Sequence, residues 1–87
     1  MDKLVLTDEQ IIDHVNNIFM DLFEIEEAKL QPTANIYIDL GLDSLDTIDL
    51  LISFETKFKM KPNADEIREI VTLQDVYNLI QRYYEKI

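Results

Sequence analysis

The sequence contains no cysteine and no tryptophan, and only one glycine and two prolines among 87 residues. Without cysteine the chain has no disulfide, no thiolate nucleophile and no cysteine-ligated metal, so any thiol chemistry must come from outside the polypeptide. So few glycines and prolines leave little turn chemistry for β-hairpins, and the composition therefore favours helices. No apolar stretch approaches the length of a signal-peptide core or a membrane span, so we expect a cytoplasmic protein.

Basic residues are also scarce. The chain has 8 lysines and arginines against 18 aspartates and glutamates, which gives a formal net charge of −10. This charge makes nucleic acids and anionic membrane surfaces unfavourable partners and favours proteins with basic patches. Residues 1–56 carry 13 acids and two bases, whereas residues 57–87 carry five acids and six bases. The asymmetry leaves open whether the acids serve recognition or only solubility. We expect a monomer.

Apolar residues recur at helical spacing in three long segments and one short segment. The predicted helices cover residues 7–23, 43–58, 64–70 and 72 to the C-terminus. Their arrangement predicts an all-α four-helix bundle with three main helices and one short third helix. A chain of this length builds one core, so we expect a single domain. Its helical bundle is predicted to cover residues 7–84, after an N-terminal extension at residues 1–6.

Residue types at the helix starts support these boundaries. Thr7 with Gln10, and Asp43 with Asp46, match the pattern of a capping box, in which two side chains satisfy the first backbone N–H groups. Residues 24–42 lose the helical period but keep recurring apolar side chains. They predict a long ordered connection that contains a short helical turn.

The apolar positions also predict which side chains form the core. In the first helix they form one stripe, made of Ile11, Val15, Ile18 and Leu22. In the second helix they predict a broad apolar surface, made of Leu45, Ile48, Leu50, Leu51, Ile52 and Phe54. Asp46 and Asp49 are then expected on the wetter side of that helix.

The most informative stretch is Asp39-Leu40-Gly41-Leu42-Asp43-Ser44-Leu45, which places a serine at the start of the second helix. A modified Ser44 oxygen would lie close to free backbone N–H groups and the positive end of the helix dipole. An isolated Asp-Ser pair is an ordinary way to begin a helix, so the pair alone indicates only capping.

The whole stretch resembles the acyl carrier protein family, whose modification site reads Asp-Leu-Gly-x-Asp-Ser-Leu, and the likeness extends over about residues 8–84. The resemblance implies that a phosphopantetheinyl transferase attaches 4'-phosphopantetheine from coenzyme A to Ser44. Acyl groups would then travel on the arm as thioesters between enzymes of fatty-acid, polyketide-type or specialised lipid biosynthesis. It also implies a non-catalytic carrier, and an acyl chain that can tuck between the helices.

The resemblance further implies which residues meet partner enzymes. The acidic positions that would face basic patches are Asp39, Asp43, Asp46, Asp49 and Glu55, and Leu45 would touch partners near the arm. Other apolar side chains are assigned to the core, although their spacing does not separate core from acyl-cavity lining: Ile48, Ile52, Ile70, Val76 and Leu79. Lys57, Lys59 and Lys61 stand where many fatty-acid carriers have further acids, which leaves the pathway open.

The same residues bear on several other functions. Peptidyl and D-alanyl carriers share the fold, and an acidic helical interaction module that is never modified is a further alternative. A hydrolase would need a base for Ser44, and the single histidine, His14, is more typical of a helix surface. Calcium binding fails because an EF-hand loop read from Asp39 places Leu50 where a bidentate glutamate belongs, so we expect no metal site.

Overall fold

The structure, a computed structural model, describes residues 7–85, and the predicted extension at residues 1–6 lies outside them. It contains four α-helices and one 3₁₀ turn: α1 (Asp8–Phe23), the turn (Glu27–Lys29), α2 (Ser44–Phe58), α3 (Ala64–Arg68) and α4 (Leu73–Glu85). In this part of the chain no strand forms, and one isolated β-bridge joins Asn35 to Thr72. The predicted all-α bundle with one short third helix is confirmed.

The helices begin where the predicted capping residues stand. At the start of α1, Thr7 Oγ1 accepts from the Gln10 amide at 3.1 Å, and Gln10 Oε1 accepts from the Thr7 amide at 2.9 Å. Asn63 and Glu66 form the same reciprocal pair at α3, which the sequence reasoning did not identify. The helix α3 ends two residues earlier than predicted.

Side chains from α1, α2, α4 and the connecting segments form one core, and Ile67 of α3 packs against it. Its buried members include Val15, Phe19, Ile36, Phe54, Leu73, Tyr77 and Ile80. Ile70, Val76 and Leu79 are buried as predicted. Leu22, Leu45, Ile48 and Ile52 stand at predicted core positions and are 44 %, 70 %, 52 % and 55 % exposed, so that prediction was wrong.

The error on α2 has a geometric cause. The helix turns four residues to the core at intervals of three or four: Thr47, Leu50, Phe54 and Phe58. Ile48 is one residue after Thr47, and Ile52 is two residues after Leu50. Each is therefore rotated by roughly 100° or more around the helix from the buried side chains. Thr47 tolerates burial because its hydroxyl donates to the Ser44 carbonyl oxygen at 2.7 Å. A polar residue thus occupies the inward stripe, and two isoleucines are left outside.

The connection before α2 is ordered because it is fastened to the start of α4. The Ile36 amide donates to the Val71 carbonyl at 2.9 Å, and the Leu73 amide donates to the Ala34 carbonyl at 3.0 Å. The predicted helical turn within this connection is confirmed at Glu27–Lys29.

None of the helices in residues 7–85 combines the length and the apolar character that crossing a membrane requires.

Candidate functional site

The loop that leads into α2 is shaped by its own side chains. Asp39 Oδ2 accepts from the Asn35 amide at 2.8 Å, and Asn35 Oδ1 accepts from the amides of Tyr37 and Ile38, both at 2.9 Å. Gly41 then adopts φ +77°, a left-handed conformation in which residues with a Cβ are strained. The chain therefore turns sharply three residues before Ser44, which begins α2 and is exposed.

Asp43 and Asp46 cap the helix on either side of Ser44. Asp43 Oδ1 accepts from the amides of Leu45 and Asp46, both at 3.0 Å, and Asp46 Oδ2 accepts from the Asp43 amide at 3.1 Å. The sequence predicted free backbone N–H groups beside Ser44, but the Asp43 carboxylate already occupies two of them. A group attached to Ser44 would therefore find these two N–H groups already bound to the Asp43 carboxylate.

A cavity of about 320 Å³ opens beside Ser44 between α2 and α3. Its lining is mostly apolar and consists of Ser44, Thr47, Ile48, Leu51, Ala64, Ile67 and Arg68. The sequence reasoning considered Ile48 as a possible lining residue, and the structure places it here. It missed Ala64 and Arg68, because nothing in their spacing shows how the chain folds back after Pro62.

The exposed face of α2 carries both apolar and acidic side chains. Leu45 is 70 % exposed, and with Ile48 and Ile52 it forms an apolar row that we call the α2 strip. Asp49 and Glu55 are exposed on the same helix. Contiguous exposed apolar residues with polar neighbours are typical of an interaction surface. Among the predicted partner-facing acids, Asp39, Asp43 and Asp46 also hold the loop and the helix start together.

His14 does not form a catalytic pair with Ser44. Its ring packs edge-on against Phe58, with 6.0 Å between ring centroids, and its Nδ1 atom is buried with no hydrogen-bond partner within residues 7–85. Phe58 lies 14 residues beyond Ser44 on α2, about 21 Å along the helix axis. The expected surface position of His14 is therefore only partly met, and the geometry gives Ser44 no neighbouring imidazole base. In the described part of the chain no three potential metal ligands converge.

Comparison with known proteins agrees with this geometry. A family model described as "Phosphopantetheine attachment site" matches residues 13–80, which include the whole of α2 and α3. The chain belongs to the phosphopantetheine-attachment family. Its membership confirms the resemblance derived from residues 39–45 and identifies phosphopantetheine as the family's cofactor.

Several relatives in the family align over most of this chain. An "Acyl carrier protein" from Picosynechococcus sp. is 32 % identical over 72 residues, which cover 83 % of this chain and 89 % of the relative. "Acyl carrier protein 2" from Ralstonia nicotianae is 29 % identical over 76 residues, covering 87 % and 94 % respectively. An "Acyl carrier protein" from Cyanidioschyzon merolae is 30 % identical over 78 residues, covering 90 % and 86 %.

In this family member, α3 is held against α4 by a tyrosine. The Tyr83 hydroxyl donates to Glu66 Oε1 at 2.7 Å and lies 3.4 Å from the Lys61 carbonyl oxygen. Glu66 Oε1 also accepts from the Asn63 amide at 3.0 Å, so one carboxylate joins the start of α3 to α4. Partial burial of the phenol, its hydrogen bond to Glu66 and the Glu66 charge raise the pKa of Tyr83 to about 12. The wall of the cavity beside Ser44 therefore depends on this contact.

Replacing this tyrosine is expected to weaken α3 in a pH-dependent way. Tyr83→Phe removes a hydrogen bond to a charged group and should lower the free energy of unfolding by about 1 kcal/mol at neutral pH. Because the folded-state pKa lies above the ordinary 10.0, the phenol contributes stability below pH 10 that is lost as the pH rises towards 12. Urea unfolding from pH 7 to 12 should therefore show the two proteins converging.

The matched control is Tyr37→Phe, which alters an exposed ring in the loop. It should leave the free energy of unfolding almost unchanged at neutral pH. A Tyr83→Phe protein as stable as the unaltered chain at pH 7 would show that the hydroxyl does not anchor α3.

Proposed function

We propose that this chain is an acyl carrier protein that bears its phosphopantetheine arm on Ser44. The observation that carries the proposal is the position of Ser44, exposed at the first residue of α2 and at the mouth of a largely apolar cavity. The family match and the relatives named acyl carrier proteins support the same role. The chain then acts as a carrier between enzymes and not as a catalyst.

The attachment reaction needs only a hydroxyl from this chain. Ser44 Oγ attacks the phosphorus of coenzyme A that bears the pantetheine, a new phosphodiester forms, and the bond to 3',5'-ADP breaks. The partner in this step is a phosphopantetheinyl transferase, which accepts the hydroxyl proton. The attached arm supplies the thiol that the cysteine-free polypeptide lacks.

The cavity beside Ser44 is suited to the beginning of an acyl chain. Ile48, Leu51 and Ile67 supply aliphatic walls, and an apolar chain gains by leaving water for such a surface. Arg68 is the cationic side chain of the lining and would face the phosphodiester, whose neighbours Asp43 and Asp46 are both acids. Arg68, which also pairs with Asp65 at 3.5 Å, would thus offset part of the negative charge gathered at the start of α2.

The face of α2 next to Ser44 is the proposed partner surface. Asp49 and Glu55 would attract the basic patches of synthase and transferase enzymes, and the α2 strip would supply apolar contact close to the arm. Asp39, Asp43 and Asp46 contribute charge to the same end while they maintain its structure. Exposed ion pairs are individually weak and salt-sensitive, which suits a carrier that must leave each enzyme after delivery.

The pathway stays a prediction. Fatty-acid biosynthesis agrees with the names of the relatives, whereas Lys57, Lys59 and Lys61 leave polyketide-type and specialised lipid synthesis open, along with peptidyl or D-alanyl cargo. Monomeric state and cytoplasmic location also stay predictions. Intact mass spectrometry of the protein isolated from its native cell would identify the cargo, because the group on the arm names the chemistry of the pathway.

Loading in vitro tests the function itself. The unmodified protein, incubated with coenzyme A and a broad-specificity phosphopantetheinyl transferase, should gain the mass of one arm per chain. An unmodified interaction module would gain nothing under the same conditions. No gain with several transferases, while a known carrier is loaded alongside, would refute the proposal.

A further inference from the structure

A second groove lies between α1 and α2, away from the cavity at Ser44. Its volume is about 350 Å³, and Ile18, Leu22, Ile52 and Lys57 are among its lining residues. The two helices run antiparallel here, because His14 packs against Phe58 while Leu22 shares the groove with Ile52. We call this feature the α1–α2 groove.

Two aliphatic side chains on opposite walls of the α1–α2 groove face solvent, among the polar lining residues Ser53 and Thr56. Leu22 on α1 is 44 % exposed and Ile52 on α2 is 55 % exposed, with Ile18 buried between the helices. Both exposed side chains occupy positions where the helical pattern predicted core. An aliphatic pair on opposite walls of a cleft can hold one apolar side chain of a visiting segment and shield it from water.

The charged residues of the groove lining are Asp21 on α1 and Lys57 on α2, and two further lysines follow Lys57 in the sequence. Lys59 and Lys61 are the next exposed residues, since the intervening Phe58 and Met60 are buried. None of these three lysines forms an ion pair with another residue in the described part of the chain, including Asp21, the acid that also lines the groove. Three exposed lysines therefore stand at alternate positions at the end of α2, on a protein whose net charge is −10.

We propose that the α1–α2 groove docks a segment of a partner protein that presents an aliphatic side chain beside carboxylates. The basic patches that suit Asp49, nearer Ser44, would be repelled by the lysines, whereas an acidic segment is attracted to the lysines and repelled by the acids elsewhere on the chain. The charges thus favour partners of opposite sign at the start of α2 and in the α1–α2 groove.

Ser44 and the lysines are far enough apart for two partners, which would compete for Ile52, the residue shared by the α2 strip and the α1–α2 groove. Lys57 lies 13 residues beyond Ser44 on one helix, about 20 Å along its axis. A partner held in the α1–α2 groove would leave the start of α2 accessible. The carrier could then remain tethered to one protein while Ser44 meets another, and local tethering raises the effective concentration of the second encounter.

Peptide titration of the full, unloaded chain tests this docking site without depending on Ser44 modification. Two synthetic amphipathic helical peptides with the same leucine pattern, one carrying glutamates and one carrying lysines, are added to ¹⁵N-labelled protein. The glutamate peptide should shift the amide signals of Leu22, Ile52 and Lys57. The lysine peptide should instead shift signals around Ser44 and Asp49.

Matched variants locate the contacts. Lys57→Glu should weaken binding of the glutamate peptide about tenfold, because reversing one charge replaces an attraction by a repulsion. Lys29→Glu makes the same charge change in the 3₁₀ turn and should leave the affinity nearly unaltered. Leu22→Gln should weaken binding, whereas Ile38→Gln, at a residue 81 % exposed in the loop, should not. Because these four positions are exposed, each variant should keep the fold of the unaltered protein, which circular dichroism checks.

The proposal fails if the glutamate peptide causes no shifts at the α1–α2 groove. It also fails if Lys57→Glu and Lys29→Glu bind that peptide equally well. Loading of Ser44 by coenzyme A and transferase is measured separately, so failure here leaves the carrier function standing.

Discussion

Ser44→Ala is expected to gain no mass when it is incubated with coenzyme A and a phosphopantetheinyl transferase, while the unaltered protein gains one arm per chain. The loss should be complete because alanine lacks the oxygen that forms the phosphodiester. The variant should stay folded, since Ser44 is exposed and the Asp43 side chain caps the helix. Its free energy of unfolding should change by less than about 0.5 kcal/mol.

The chain provides a strict control, because Ser44 and Ser53 are its only serines. Ser53 lies within the same helix and lines the α1–α2 groove. Ser53→Ala should therefore load as fully as the unaltered protein. A mass gain that persists in Ser44→Ala, or disappears in Ser53→Ala, would place the attachment elsewhere and remove the site assignment.

The helix boundaries were predictable because their signals are local. Thr7 with Gln10 and Asp43 with Asp46 are read directly from the sequence, and both pairs form the reciprocal hydrogen bonds that their spacing predicts. Ser44 was placed at the start of α2 for the same reason. Local hydrogen bonds within four residues need no knowledge of the rest of the fold.

The side of α2 that enters the core was not predictable from hydrophobicity. Leucine and isoleucine occur on every side of α2, so hydrophobicity alone does not select the buried face. Thr47 is buried in place of Ile48 because its hydroxyl donates to the Ser44 carbonyl and because of where the other helices lie. The exposed isoleucines are thus a tertiary effect. The composition of the cavity wall depends likewise on the return of the chain after Pro62, which brings Arg68 beside Ser44.

The same sequence signal predicts the free amides at the start of α2 and explains why two of them are occupied. The sequence shows that Asp43 can cap α2, and a cap consumes the donors of Leu45 and Asp46. An anion on Ser44 would therefore not find these two donors free. The lesson is that a well-capped helix start offers fewer donors to a ligand than its dipole suggests.

Reversing charge on the exposed face of α2 should slow loading strongly. We choose Asp49→Lys with Glu55→Lys, because Asp43 and Asp46 hold the helix start and their replacement would also cost stability. If these acids steer basic partners, the apparent kcat/KM of the transferase for this double variant should fall about tenfold or more at low ionic strength. The effect should appear mainly in KM, since the Ser44 hydroxyl and its surroundings are unchanged.

Asp13→Lys with Glu26→Lys is the control that separates local recognition from overall charge. Both double variants change the net charge from −10 to −6, and all four positions are exposed. The control should lose far less activity, because its charges lie on α1 and in the loop. Raising the salt from 0.1 M to 1 M shortens the screening length from about 10 Å to about 3 Å, so the two variants should converge there. Equal rates for both variants at low salt would mean that the acids of α2 keep the protein soluble and do not select its partners.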